Sequence, residues 1–215
     1  MQKKSYHHGD LRKALIENGV RLVTEGDAEK LSLREVARMA GVSATAVYHH
    51  FPDKQALLSA LAQEGLARLA TAQYRASEQA GGGKAGFAAT GRAYVNFALE
   101  NPALFKLIGS THAPPLDKAD DLPDPMAFLL ANATALAPPG APPIAAQAIA
   151  IQGWALAHGL ALLMLEGHVP TDQKLIELVL NPNTFSDLPT AVRASGTTPA
   201  GTARKEPRPR AKKKR

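Results

Sequence analysis

The sequence predicts an all-α protein. Alternating apolar–polar runs and β-branched clusters, the marks of strands, are nearly absent from its 215 residues, whereas Ala and Leu recur at helical spacing. Start and stop signals divide that spacing into segments, with Ser or Asp at the heads and Gly or Pro at the ends. Hydrophobic residues make up 45% of the chain, enough for a sizeable core, and the length suits a small module joined to a larger domain.

A first helix is expected from about Asp10 to Thr24, with Leu11, Leu15, Leu22 and Val23 on one face and Gly26 placed to end it. Ser32-Leu33-Arg34-Glu35 forms a capping box, in which the Ser hydroxyl accepts from the N–H three residues on and the Glu reaches back. It opens a short helix, Leu33 to Ala40, that Gly41 stops. Ser43 caps a third helix, Ala44 to Phe51, broken by Pro52, and Asp53 caps a long fourth running from Lys54 to about Gln79. Gly81-Gly82-Gly83 reads as a flexible joint before a fifth helix over 84–100, and Asn101-Pro102 restarts the chain for a short sixth. Residues 113–125 hold four prolines and four Asp and read as a loop. A helix over 125–136 precedes the turn Pro138-Pro139-Gly140; then come the most apolar helix, Pro142 to Glu166, and a last one, Thr171 to Leu180. Disorder is expected by about residue 190 from the rising Pro, Ser, Thr, Gly and basic content.

The net charge of +6 is unevenly spread. Residues 204–215 carry eight Lys/Arg and one Glu, a local sum of +7, so everything before them sums to −1. Residues 1–62 are mildly basic and the middle is acidic. Such polarity fits nucleic-acid contact at the ends. The basic tail has two open readings, a solubilising end or a non-specific hold on DNA by counterion release. The absence of cysteine excludes disulfides, thiolate metal sites and cysteine nucleophiles, and fits a reducing cytoplasm. The basic start MQKKSYHHGDLRK is followed by no apolar stretch, so export is not expected.

Two short helices joined by a tight glycine turn inside a three-helix package describe a helix-turn-helix, whose second helix fits the major groove. Here Val47 and Phe51 would point inward with Val42, leaving Ala44, Thr45, Tyr48 and His49 toward the groove. The Ser43 hydroxyl and the first-turn N–H groups suit a phosphate, with Tyr48 and Lys54 offering an O–H and a cation to the same strand. A generic three-helix bundle that binds nothing would use the same capping residues, and physics alone leaves both open.

The run SLREVARMAGVSATAVYHHFPDKQALL resembles the DNA-binding domain of the tetracycline-repressor (TetR) family. The similarity spans roughly residues 9–69 without gaps. It implies DNA contacts at Ser32, Leu33 and Arg34 in the first element, at Ser43, Ala44, Thr45, Ala46, Tyr48 and His50 in the second, and a phosphate contact at Lys54. The leading YHHGDLR resembles one subgroup of the family. In the C-terminal half, Tyr94 to Pro102 followed by Leu104-Phe105 resembles a subgroup's fifth and sixth helices, and Trp154 to Gly159 resembles its W-x-x-x-H-G signature.

Residues 141–165 carry no charge over 25 positions, long enough to cross a membrane. Pro142, Pro143, Gln147, Gln152 and His158 and a bulk of alanine favour burial between the helix's own domain and a partner subunit instead. His7-His8 and His49-His50 lack the spacing of a metal site, so no metal is expected. His158, four residues after Trp154, is either a core histidine with one internal hydrogen bond or a pocket histidine that recognises a ligand. Phe97, Phe105, Trp154 and His158 are the candidate pocket wall. No nucleophile elbow, phosphate loop or helical H-E-x-x-H appears; Asp117, Asp120, Asp121 and Asp124 cluster in a proline-rich loop, and catalysis is not expected.

The expectation is therefore an N-terminal three-helix bundle with a helix-turn-helix (9–69), a C-terminal helical ligand-binding and dimerisation domain (84–185) and a disordered basic tail (190–215). Two copies would pair through the helices near 142–166 and 171–180 and bind a pseudo-palindromic operator in double-stranded DNA. A small-molecule effector, with no cofactor, would act through the fourth helix; repression is what the resemblance implies. The competing classes are an architectural DNA-binding protein with no effector, and a ligand-binding or enzymatic helical protein whose N-terminal module is vestigial.

Overall fold

The computed structural model describes residues 8–25, 31–111 and 125–181, and among these there are nine helices and no strand. They are α1 (His8–Thr24), α2 (Leu33–Ala40), α3 (Ala44–Tyr48), α4 (Lys54–Gln79), α5 (Gly83–Glu100), α6 (Pro102–Ser110), α7 (Pro125–Thr134), α8 (Pro143–Leu165) and α9 (Gln173–Val179). The proline-rich loop with its Asp cluster, Gly26, the His7-His8 pair and the basic tail lie outside the described side chains.

Local polar chemistry sets the ends of the N-terminal helices. The hydroxyl of Ser32 accepts from the Glu35 N–H, that of Ser43 from the Ala46 N–H, and the Asp53 carboxylate from the Ala56 N–H. Gly41, at φ +68°, closes α2 by donating its N–H to the carbonyls of Ala37 and Arg38. α3 ends at Tyr48, three residues earlier than its sequence suggests. His50 and Phe51 turn back onto the Val47 carbonyl, because a residue before proline is pushed out of helical geometry and Pro52 follows.

The Gly81-Gly82-Gly83 segment is a tight turn in place of the expected flexible joint. All three residues have positive φ, and Gly82 donates to the Ser77 carbonyl at 3.0 Å, so α5 folds straight back along α4. α4 runs through both halves. Its start buries Leu57 and Leu61 with Leu15, Val36, Val47 and Phe51, and further along Leu69 joins a core that includes Val95, Leu104, Ala161 and Ile176. At Gly65 an added Cβ would lie 2.9 Å from Leu104, so glycine is what lets α6 rest on α4.

α8 is long and apolar enough to cross a membrane by length and composition, and burial between its own domain and a partner subunit is the expected alternative. The single chain covers one stripe only: Ala146, Ala150, Ala157, Leu160, Ala161 and Met164 face its own domain. Along the other side Ala148, Gln152, Ala155 and Leu163 are exposed, flanked by Ile144 (65%) and Ile151 (51%).

Candidate nucleic-acid interface

Packing fixes which side of α3 is free. Val47 and Phe51 are fully buried and Val42 is half-buried, as their spacing predicts. Thr45, Tyr48 (49% exposed) and His49 are left outside, while Ala44, Ala46 and His50 sit half-buried beside them. The Ser43 oxygen is occupied as a cap acceptor, so its own O–H remains to donate outward; Ser32 is placed alike at the head of α2. Arg34 is exposed, and so is Lys54 at the start of α4. Leu33 is buried in the core, so its side chain has no route to DNA; its backbone N–H in the first turn is the only group it can offer.

Two further cations belong to this module. The Arg12 guanidinium stands 5.4 Å from the centroid of the Phe51 ring, tying α1 to the end of the α3 turn by a cation–π contact. Arg38 pairs with the Glu35 carboxylate at 2.6 and 2.9 Å, and this hydrogen bond and charge raise its pKa further. The Arg38–Glu35 pair is local, three residues apart on one helix, whereas Arg12 acts through Phe51, a partner that only the fold supplies.

A second cluster lies in the C-terminal half. Tyr94 of α5, Phe105 of α6, and Trp154 and His158 of α8 come together there. Ring centroids are 5.5 Å apart for Tyr94–Phe105, 5.6 Å for Phe105–His158 and 6.3 Å for Trp154–His158. The Tyr94 hydroxyl lies 2.8 Å from His158 Nδ1, and the Trp154 indole N–H donates to the same hydroxyl at 3.4 Å. Burial pushes the Tyr94 phenol above its ordinary pKa, with the indole N–H pulling the other way. Of the four residues expected to form a pocket wall, the fold thus gathers Phe105, Trp154 and His158. Phe97 is buried but makes no ring contact with them. Tyr94, the hub, is not one of those four. Its signal was a lone polar aromatic on an apolar helix face, which means little until its partners 60 and 64 residues away are known.

Comparison with known proteins places these parts. Residues 15–61 match the family model of bacterial regulatory proteins, tetR family, and residues 87–180 match that of the tetracyclin repressor-like C-terminal domain. The chain belongs to the TetR family. A protein of unknown function from Rhodococcus sp. RHA1 is similar in structure, with 33% identity, 86% of this chain and 96% of that chain covered, and a TM-score of 0.67. A TetR variant from Acinetobacter baumannii AYE in complex with minocycline shares the fold at 17% identity, covering 86% of this chain and 98% of that one with a TM-score of 0.55. The HTH-type transcriptional repressor Rv1474c of Mycobacterium tuberculosis is 33% identical over 69 residues, 32% of this chain. That match spans only 37% of the repressor's own length. The model for the TetR-like C-terminal domain includes all four residues of the aromatic cluster.

Proposed function

We propose that this TetR-family protein is a bacterial DNA-binding transcriptional repressor that acts as a dimer in the cytoplasm and releases its operator when a small molecule binds. The observation that carries the reading is the sidedness of α3. Burial of Val47 and Phe51 turns Thr45, Tyr48 and His49 outward, with the Ser43 hydroxyl at one end and Lys54 at the other. Thr45 and its neighbours Ala44 and Ala46 then read base edges. Ser32, Arg34, Ser43, Tyr48, His50 and Lys54 position the module on phosphates, with the Leu33 N–H among them.

The uncharged outward side of α8 supports pairing with a second copy, joined by the exposed Leu178 of α9. Two recognition helices then meet half-sites about 34–36 Å apart. The aromatic cluster of α5, α6 and α8 supports an effector site. α6, which carries Phe105 into that cluster, rests on α4 through Leu104 and Gly65, and α4 begins at Lys54. An effector that prefers one arrangement of α6 on α4 would move the recognition helices and shift the population of DNA-competent dimers. The eight basic residues of 204–215 would add a sequence-independent hold on DNA.

Selection of bound fragments from the source genome tests the reading. Enrichment of a sequence with two-fold symmetry, bound by a dimer and released by a small molecule, is the expected result. Uniform recovery of all fragments with no enrichment would replace the repressor by an architectural DNA-binding protein.

A further inference from the structure

The Tyr94 hydroxyl has a single proton, and its destination determines what His158 presents. Tyr94 is 8% exposed. Of its two hydrogen-bonding neighbours, the Trp154 indole is a donor and accepts nothing, and His158 Nδ1, at 2.8 Å, is the one acceptor. Any other orientation would leave a buried phenol proton unpaired, so the Tyr94 O–H donates to Nδ1. A neutral imidazole that accepts at Nδ1 carries its proton at Nε2.

That second nitrogen has no protein partner among the described residues, and none of their fully buried side-chain nitrogens or oxygens lacks a hydrogen bond. Nε2 therefore reaches solvent. The rings of Phe105, Trp154 and Tyr94 surround the imidazole, and no hydrogen bond or ion pair links the three polar rings to a charged side chain. We infer that His158 offers its Nε2–H to the effector, and that the site takes an uncharged apolar molecule bearing a hydrogen-bond acceptor, such as a ketone, ester or amide carbonyl. This rests on the reading of the α5–α6–α8 cluster as the effector site. An anion there would lose hydration with no cation bonded to these rings among the described residues, and an ammonium group placed at Nε2 would meet a donor. Aromatic and aliphatic bodies suit the surrounding rings, and the single acceptor sets their orientation.

The test uses the full chain labelled with 15N in histidine and tryptophan. The His158 resonances should show a protonated Nε2 and an unprotonated, hydrogen-bonded Nδ1. A proton on Nδ1 would overturn the inference while leaving the effector-site reading intact. Four probes of one skeleton are then titrated: acetophenone, ethylbenzene, benzoate and 1-phenylethylammonium. Trp154 is the only tryptophan, so its indole N–H signal reports occupancy without assignment. Acetophenone should bind about fivefold or more tightly than ethylbenzene, the worth of one net hydrogen bond, and more tightly than either ion. Tyr94→Phe, which keeps the ring, should free Nδ1, mix the tautomers and shrink that preference while ethylbenzene binding persists. Equal binding of acetophenone and ethylbenzene would overturn the donor, and tightest binding of benzoate or the ammonium would overturn the neutral class. An indole signal unmoved by all four probes, with the Nε2–H tautomer present, would overturn the effector site itself.

Discussion

Phe51 and Ile151 are both large apolar side chains on helical segments, and the chain treats them in opposite ways. Phe51 is 1% exposed, sealed beneath Arg12 and packed with Val47 and Leu57, whereas Ile151 stands half in water on α8. The difference runs through their regions. In α1 to α3 the large apolar residues point inward and the outward ones are mostly hydroxyls, cations and histidines; Tyr48 alone is a large exposed ring there. On α8, Ile144, Ile151, Trp154, Leu156 and Leu163 are all exposed. The N-terminal module completes its own core and keeps a polar face for a polar partner. The C-terminal domain leaves its core open on one side, which another apolar protein surface would close.

The comparison breaks first at Phe51. Its replacement by Ala should cost about 3–5 kcal/mol by denaturant unfolding, because the ring is enclosed on all sides by its own chain. The cost should not vary with protein concentration, and DNA binding should vanish as α3 loses its footing. A loss below about 1 kcal/mol would mean that the helix-turn-helix does not rest on this ring.

Ile151→Glu should do the reverse. A charge at an exposed position leaves the monomer folded by circular dichroism, but a dimer interface would have to bury it unpaired. Light scattering should fall from twice 22.7 kDa to the single-chain mass. Operator affinity should drop by about a hundredfold or more, as two linked half-site contacts become one. A dimer that survives the substitution would move the interface off this side of α8.

Much of the N-terminal half was legible because its determinants are local. Ser32, Ser43 and Asp53 each bond an N–H three residues away, and Gly41 closes a helix within its own turn, so sequence spacing carries the answer. Even there the end of α3 was misplaced, since a helix-compatible run says nothing of how far back Pro52 acts. α8 was illegible in a different way. A helix of Ala, Leu and Ile has no polar stripe, and periodicity cannot say which side its own chain will cover. The same holds for the link between Tyr94 and His158, 64 residues apart, which depends on how α5 and α8 cross.

Thr45 and Lys54 sharpen the comparison inside the polar face itself. Thr45 lies in the first turn of α3, exposed, with a hydroxyl and a methyl to offer a base edge. Lys54 opens α4 behind the Asp53 cap, where its exposed ammonium would meet backbone phosphate, a contact that carries no sequence information. Thr45→Ala should relax preference at one position in each half-site by about 1–3 kcal/mol and leave the salt dependence untouched. Lys54→Ala should weaken operator and scrambled duplex alike and reduce the slope of log affinity against log salt by about one unit. Removing residues 204–215 should lower that slope further if the tail's cations touch DNA. Titrations at several salt concentrations on both duplexes separate these effects. An unchanged slope in Lys54→Ala removes that phosphate contact, and an unchanged base preference in Thr45→Ala removes Thr45 as a reader, because a hydroxyl that merely faces solvent has no base to discriminate.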